Sequence, residues 1–188
     1  MARILLRMGL ADQLTLIRVA AVPVVILLYV WNFPNHDWWA TVVFIVAMTT
    51  DFFDGRVARS RGRSSPFGSL LDPVADKILV MSVLIVLVGE GVFPGWMVAL
   101  IVAREFLVSG LRLAALERGV VMEARDLGKL KTWSQAIAAA IGGFAAAGVW
   151  DDSVAWWALL VALVLTWASG LDYARMAPGL LRRRAVAR

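Results

Sequence analysis

Long apolar runs alternate with short polar segments along the whole chain of 188 residues. An apolar run of about 20 residues is long enough for an α-helix to cross a bilayer. Residues 1–14 come before the first such run, and they combine Arg3 and Arg7 with apolar neighbours, a pattern typical of a helix at the membrane interface. The pattern predicts an all-α integral membrane protein with a short N-terminal interfacial helix and six transmembrane helices. These six are expected at about residues 15–31, 38–59, 69–88, 95–117, 131–149 and 153–176.

Composition supports a single membrane domain over residues 1–188. Hydrophobic residues make up 61% of the chain and the mean hydropathy is +0.76, which excludes an ordinary soluble domain and a disordered chain. The six-helix bundle is expected over residues 15–176 and a basic cytoplasmic tail over residues 177–188. The chain has no cysteine and one histidine, His36, so a thiolate or imidazole metal site is excluded.

The charges are distributed unequally between the two ends of the predicted helices. The connections near residues 32–37, 89–94 and 150–152 contain no lysine or arginine, whereas the connections at the other end and both termini are basic. Positive residues mark the cytoplasmic side of a membrane protein. We therefore expect a multi-pass protein of the cytoplasmic (inner) membrane with both termini inside. The net charge of +5 then reflects topology and anionic lipid, and it argues against nucleic acid as a partner.

Four carboxylates lie where the second predicted helix ends and the third begins. They form two pairs, Asp51 with Asp54 and Asp72 with Asp76, and residues three or four apart share one face of a helix. A tight connection containing Pro66 would fold the two helices antiparallel, so that the acids face each other. Buried carboxylates need a compensating partner, and an all-oxygen set favours Mg²⁺, Mn²⁺ or Ca²⁺.

Two other interpretations of these acids are open. Each aspartate could be solvated at the interface and paired with a neighbouring cation such as Arg59 or Lys77. The acids could also mark the ion path of a divalent-cation transporter. Transporters commonly place such sites near the bilayer midplane and contain inverted repeats, whereas here the acids lie near helix ends and no repeat is visible.

The acids belong to a longer motif, D-x2-D-G-x2-A-R-x8-G-x3-D-x3-D, that runs from Asp51 to Asp76 without a gap or substitution. This motif, the chain length and the six spans resemble the CDP-alcohol phosphotransferase family. The resemblance implies an enzyme that releases CMP from a CDP-linked lipid, with two divalent ions (Mg²⁺ or Mn²⁺) and often a homodimer. It also implies metal ligation by the four aspartates and a role for Asp76 as general base. Contacts with the CDP-lipid are implied for Gly55, Ala58, Arg59 and Ser65, with Thr15 as a further candidate.

The acceptor alcohol is indicated by residues outside this motif. Arg104 and Arg112 lie on the fourth predicted span, and Lys129 and Lys131 lead into the fifth. Arginine at membrane depth usually faces a polar cavity, so these cations predict a pocket for a phosphate-bearing alcohol. Residues 14–19, 103–112 and 128–135 most resemble family members that join CDP-diacylglycerol to glycerol 3-phosphate, giving phosphatidylglycerophosphate and CMP. Members that make phosphatidylinositol phosphate or cardiolipin are the alternatives.

Three further polar residues, Asp12, Asp172 and Tyr173, lie outside the motif and the group of acceptor cations. Asp12 stands where these family members usually have asparagine, so a nucleotide contact by its side chain does not follow from the resemblance. Asp172 and Tyr173 fall near the cytoplasmic end of the last predicted span. They could line the acceptor cavity, but a surface ion pair between Asp172 and Arg175 is the preferred interpretation.

Overall fold

The computed structural model describes the backbone of residues 10–60, 66–117 and 126–185, and the side chains of residues 17–50, 77–115, 130–172 and 175. These backbone ranges form six helices and contain no strand, which confirms the predicted all-α class and the number of long helices. The helices are α1 Leu10–Val30, α2 His36–Ser60, α3 Pro66–Gly89, α4 Gly95–Glu117, α5 Asp126–Ala146 and α6 Asp152–Ala185.

The helix ends agree with the predicted spans to within about three residues, except at the two ends of the chain and at the start of α5, which is Asp126 rather than residue 131. Residues 1–9 of the predicted interfacial helix lie outside the described residues, and α1 runs without interruption from Leu10 through the first span. The last helix continues to Ala185, well beyond the predicted end near residue 176. Most residues of this extension are leucine, alanine or arginine, which favour helix, so the backbone need not end where the apolar run does.

Helices α3 and α5 each pack against three other helices and form the centre of the described bundle. Helix α1 packs against α2 and α3, and α5 packs against α2, α3 and α6. Helix α4 joins the bundle through contacts with α6 and α3. The buried core includes Val25, Phe44 and Leu84, with Ala138 and Ala139 of α5 fully buried. Small residues let helix backbones approach closely, and α5 is rich in alanine and glycine.

One end of the bundle, called here the loop end, contains the connections at residues 31–35, 90–94 and 147–151. Gly91 and Gly148 have φ angles of 78° and 72°, a left-handed conformation that suits glycine after a helix. At this end the Tyr29 and Thr41 hydroxyls share a buried hydrogen bond of 2.9 Å. A Cβ atom on Gly143 would lie 2.5 Å from the Tyr29 hydroxyl oxygen, so this glycine allows α5 to approach α1 and α2.

The length, hydropathy and exposure of the described segments can be compared with what a membrane-spanning helix requires. By length and composition, one segment among them, Asp152–Asp172 with a mean hydropathy of 1.9, is long and apolar enough to cross a bilayer. Ile17–Val30 and Lys77–Gly89 are shorter apolar stretches. Many large apolar side chains on the outer surface are exposed, including Phe106 at 72% and Leu107 at 62%. Such an apolar exterior is consistent with a protein of the membrane.

Candidate active site

The four motif aspartates lie at matched depths on two helices. At a rise of 1.5 Å per residue, Asp54 and Asp51 lie about 9 and 14 Å before the end of α2 at Ser60, and Asp72 and Asp76 lie about 9 and 15 Å after the start of α3 at Pro66. The five residues between Ser60 and Pro66 reach roughly 20 Å at most, so these two helix ends belong to one end of the bundle. We call it the acid end.

Helices α2 and α3 are both flanked by the same two neighbours. Over the described residues, each of them packs against α1 and α5. The two acid-bearing helices therefore lie across from each other, with α1 and α5 on either side. The side chains of the four acids lie outside the described ones, so their grouping stays a prediction.

The chemistry of the donor set fits a divalent cation. Four carboxylates supply only hard, anionic oxygen, which Mg²⁺ and Mn²⁺ prefer. No other group of three or more candidate ligands occurs among the described side chains. The four motif aspartates are therefore the candidate metal ligands of this chain.

A buried carboxylate, Glu105, lies close to this region on α4 and is surrounded by cations from three helices. Its side chain is 4% exposed. Oxygen Oε1 accepts a hydrogen bond of 2.7 Å from Arg104 Nη1 and another from Lys131 Nζ, and Oε2 lies 3.4 Å from Lys77 Nζ. A carboxylate and its cations tolerate burial when they are paired and hydrogen-bonded. With three cations on one anion, the described cluster has a surplus of positive charge.

Polar side chains of α5 and α6 complete the support of this cluster. Arg104 Nη2 donates a hydrogen bond of 3.1 Å to Ser169 Oγ, and Gln135 Nε2 donates one of 2.7 Å to Thr166 Oγ1. Gly170 leaves room for the arginine, because a Cβ atom there would lie 2.9 Å from Arg104 Nε. Hydrogen bonds and close packing therefore hold the cluster between α4, α5 and α6.

A cavity of about 500 Å³ opens between α3 and α4 beside the cluster. Lys77, Glu105, Ser109 and Arg112 form its polar part, and the remaining wall is mainly apolar. Lys77 Nζ donates a hydrogen bond of 2.8 Å to Ser109 Oγ and thereby links the two helices. Because Lys77 directly follows Asp76, the polar part of the cavity lies next to the acid-bearing segment of α3.

The predicted acceptor cations have different positions. Arg104 and Lys131 come together on Glu105, whereas Arg112 lines the cavity. The side chain of Lys129 lies outside the described ones. So do the side chains of Thr15, Ala58, Arg59, Ser65, Asp12 and Tyr173, and the surroundings of Gly55. Asp172 is half-buried and Arg175 exposed. The structure thus brings two of the four predicted acceptor cations into direct contact with one carboxylate.

Sequence reasoning missed the central role of Glu105 and the contribution of Lys77. From the sequence alone, no role was assigned to Glu105, and Lys77 was considered only as a partner for neighbouring aspartates. Both are charged residues within apolar helices, which is itself a signal of a functional site. Gln135, Thr166 and Ser169 had no such signal, because polar residues of this kind occur throughout helices of membrane proteins.

Comparisons with known proteins agree with the motif. The family model described as CDP-alcohol phosphatidyltransferase matches residues 8–168. A Bacillus subtilis protein named CDP-diacylglycerol–glycerol-3-phosphate 3-phosphatidyltransferase is 40% identical over 145 residues, covering 69% of this chain and 74% of the relative. A Rickettsia bellii protein of the same name is 38% identical over 168 residues, covering 88% and 93%.

A third relative has a related name. A Mycobacterium tuberculosis protein named as a probable phosphatidylglycerophosphate synthase is 39% identical over 170 residues, which cover 88% of this chain and 79% of the relative. The family model therefore spans most of the chain, and the relatives align over most of their own lengths. Together with the unbroken motif from Asp51 to Asp76, these matches show that the chain belongs to the CDP-alcohol phosphatidyltransferase family.

Proposed function

We propose that this enzyme transfers the phosphatidyl group of CDP-diacylglycerol to glycerol 3-phosphate, giving phosphatidylglycerophosphate and CMP. The observation that carries the proposal is the similarity, at 38–40% identity, to relatives whose names state this reaction. The surplus of positive charge around Glu105 and Arg112 supports it, because it suits an acceptor that carries a phosphate.

We assign the metal site of this reaction to Asp51, Asp54, Asp72 and Asp76. Their carboxylates would hold divalent ions, Mg²⁺ or Mn²⁺, and two ions are proposed by resemblance to the family. Ions held by these carboxylates would supply positive charge opposite the pyrophosphate.

The remaining roles belong to residues of the chain itself. Asp76 takes the proton from the attacking hydroxyl of the acceptor. The freed oxygen forms a bond to the phosphorus that carries diacylglycerol, and the bond between that phosphorus and the pyrophosphate bridging oxygen breaks, releasing CMP. Arg59 stabilises the charge on the departing phosphate. Gly55 and Ala58 let the nucleotide approach α2, and Ser65 and Thr15 are further contacts.

The acceptor site is proposed at the cavity between α3 and α4. Arg112 lines this cavity and can bind a phosphate through two parallel hydrogen bonds. Arg104 and Lys131 contribute positive charge beside the cavity, where both are paired with Glu105. Lys129, one residue outside the described side chains, adds a further cation. The phosphate of the acceptor would add an anionic partner to this group of cations.

We further propose a multi-pass protein of the inner membrane, with six transmembrane helices and with both termini and the acid end on the cytoplasmic side. The basic connections at the acid end support this orientation. Membrane insertion, though not its direction, is supported by the exposed tryptophans of the loop end, which are placed as an interfacial belt: Trp31, Trp38, Trp39, Trp96, Trp150 and Trp157. A homodimer is proposed by resemblance alone, and cross-linking in native membranes tests it.

An acceptor screen tests the proposed function. Purified protein in mixed micelles receives CDP-diacylglycerol, Mg²⁺ and one of four acceptors: glycerol 3-phosphate, inositol phosphate, serine or phosphatidylglycerol. We expect CMP release to be fastest with glycerol 3-phosphate, and the lipid product to be phosphatidylglycerophosphate. Preference for another acceptor would assign the chain to a different branch of the family. Metal flux into proteoliposomes without CMP release would instead support the transporter interpretation.

A further inference from the structure

Lys77 occupies a position that the four-aspartate motif does not explain. It follows Asp76 directly, its side chain is 35% exposed, and it lines the cavity between α3 and α4. Its ammonium group has three N–H donors. Among the described side chains, one donor bonds to Ser109 Oγ and a second faces Glu105 Oε2 in an ion pair of 3.4 Å. The third donor is available to a ligand in the cavity.

Glu105 differs from Lys77 in its surroundings. With its side chain only 4% exposed, it is nearly enclosed, and its carboxylate contacts cations on both sides. Oε1 faces Arg104 and Lys131, whereas Oε2 faces Lys77. The glutamate therefore fixes the direction of the lysine amine, which would otherwise sample many rotamers of a long flexible side chain.

A purely structural role does not account well for this arrangement. Replacing buried ion pairs by apolar residues of similar volume is often neutral or stabilising, so a buried charged cluster is weak evidence for stability alone. The described cluster also extends into a cavity through the Lys77 ammonium group, which suits an anionic ligand there. The cavity volume of about 500 Å³ is within the usual range for small-molecule sites.

We propose that Lys77 binds the phosphate of the acceptor alcohol, and that Glu105 is the positioning residue that holds the Lys77 amine towards the cavity. This inference rests on the proposed function and identifies a pair of specificity residues for it. The lysine contacts the substrate, and the glutamate acts through the lysine. An acceptor phosphate bound by Lys77 and Arg112 would have its alcohol close to the segment that carries Asp76.

A double-mutant cycle tests this pair. Lys77→Gln, Glu105→Gln and the double variant are purified, and KM for glycerol 3-phosphate, KM for CDP-diacylglycerol and kcat are measured for each. We expect each single variant to raise KM for glycerol 3-phosphate at least ten-fold, while KM for CDP-diacylglycerol changes less than two-fold. If Glu105 acts through Lys77, the double variant should be little worse than the poorer single variant.

Two further variants separate positioning from folding. Glu105→Asp keeps the charge and should recover part of the affinity for glycerol 3-phosphate. Glu90→Gln, an exposed change at the loop end, should leave all three constants unchanged. Should Glu105→Gln fail to fold, Lys77→Gln alone decides whether the lysine binds the acceptor phosphate, and Glu105→Asp must still raise KM for glycerol 3-phosphate selectively.

Specific outcomes contradict the inference. Multiplicative effects in the double variant would show that Glu105 does not act through Lys77. Unchanged KM values with a smaller fraction of active enzyme would show a structural role only. Failure of the wild-type protein to use glycerol 3-phosphate overturns the proposed function instead. In that case the same cycle is measured with the acceptor it does use, and an acceptor without phosphate overturns the inference as well.

Discussion

The two ends of the bundle are stabilised by different kinds of contact. At the loop end, Gly143 lets α5 approach the buried Tyr29–Thr41 pair, whose hydrogen bond joins two neutral hydroxyl groups. Towards the acid end, a buried carboxylate binds three cations beside a cavity of about 500 Å³. Close packing specifies one structure at little electrostatic cost, whereas buried charge with open space is retained for binding. The residues that pack closely and the residues proposed for binding therefore lie at different positions along the helices.

The largest expected difference between the two ends is the loss of activity when one aspartate is replaced by asparagine. Asp76→Asn removes the proposed base and a metal ligand, so kcat for CMP release should fall by roughly 10²–10⁴-fold or more. Asp151→Asn, at the exposed loop end, is the matched control and should retain nearly full activity. Both variants should elute as the wild type does in size-exclusion chromatography. Near-normal turnover by Asp76→Asn would show that Asp76 is not the general base.

Arg112 tests the acceptor side of the acid end. Arg112→Ala should raise KM for glycerol 3-phosphate roughly ten-fold or more, since a hydrogen bond to a charged group contributes about 1.5–3 kcal/mol. Binding of CDP-diacylglycerol should change much less. Arg175→Ala, which removes an exposed arginine of α6, provides the control. Equal loss of affinity for both substrates would argue against an acceptor pocket at Arg112.

A substitution of Gly143 at the loop end is expected to change stability rather than substrate affinity. In Gly143→Ala the new methyl group would meet Thr41 Oγ1 and lie 2.5 Å from the Tyr29 hydroxyl oxygen, and overpacking of this kind costs about 1–3 kcal/mol. We expect a lower Tm but unchanged KM values for the folded fraction. Gly110→Ala has no atom within 4 Å of the added Cβ and should leave Tm equal or slightly higher. A selective rise in one KM for Gly143→Ala would contradict the separation of the two ends.

Much of this architecture follows from the sequence because it depends on local patterns. Apolar runs long enough for a bilayer gave the six helices, and α4 begins and ends where the sequence predicted, at residues 95 and 117. The spacing of Asp51, Asp54, Asp72 and Asp76 likewise placed the acids at matched depths on two helices. These inferences require only the rise and turn of a helix.

The contacts between helices were not predictable in the same way. Lys77 and Glu105 are 28 positions apart, and whether they meet depends on how α3 and α4 are rotated about their axes. The same holds for Gly143, which contacts Tyr29 and Thr41 on two other helices. A rotation of one residue, about 100° of helix, would separate either set. The sequence therefore predicted which residues carry charge at membrane depth but not which of them share a carboxylate.

The smallest expected effect is the contribution of Asp151 to stability at the loop end. Its Oδ1 accepts a hydrogen bond of 2.8 Å from the Ser153 backbone N–H at the start of α6. Hydrogen bonding with the Ser153 side chain, and then with this backbone N–H, lowers the pKa of Asp151 below its ordinary value of 3.8. A lowered folded-state pKa means that the stabilisation is present above the ordinary value and is lost as the pH falls through the folded value. Asp151→Ala should therefore lower Tm slightly at neutral pH, and the difference from wild type should shrink when both are acidified below pH 3.8. Because this carboxylate is fully exposed, added salt should weaken the electrostatic part of its effect. A Tm difference that stays constant on acidification would show that the ionised carboxylate is not what caps α6.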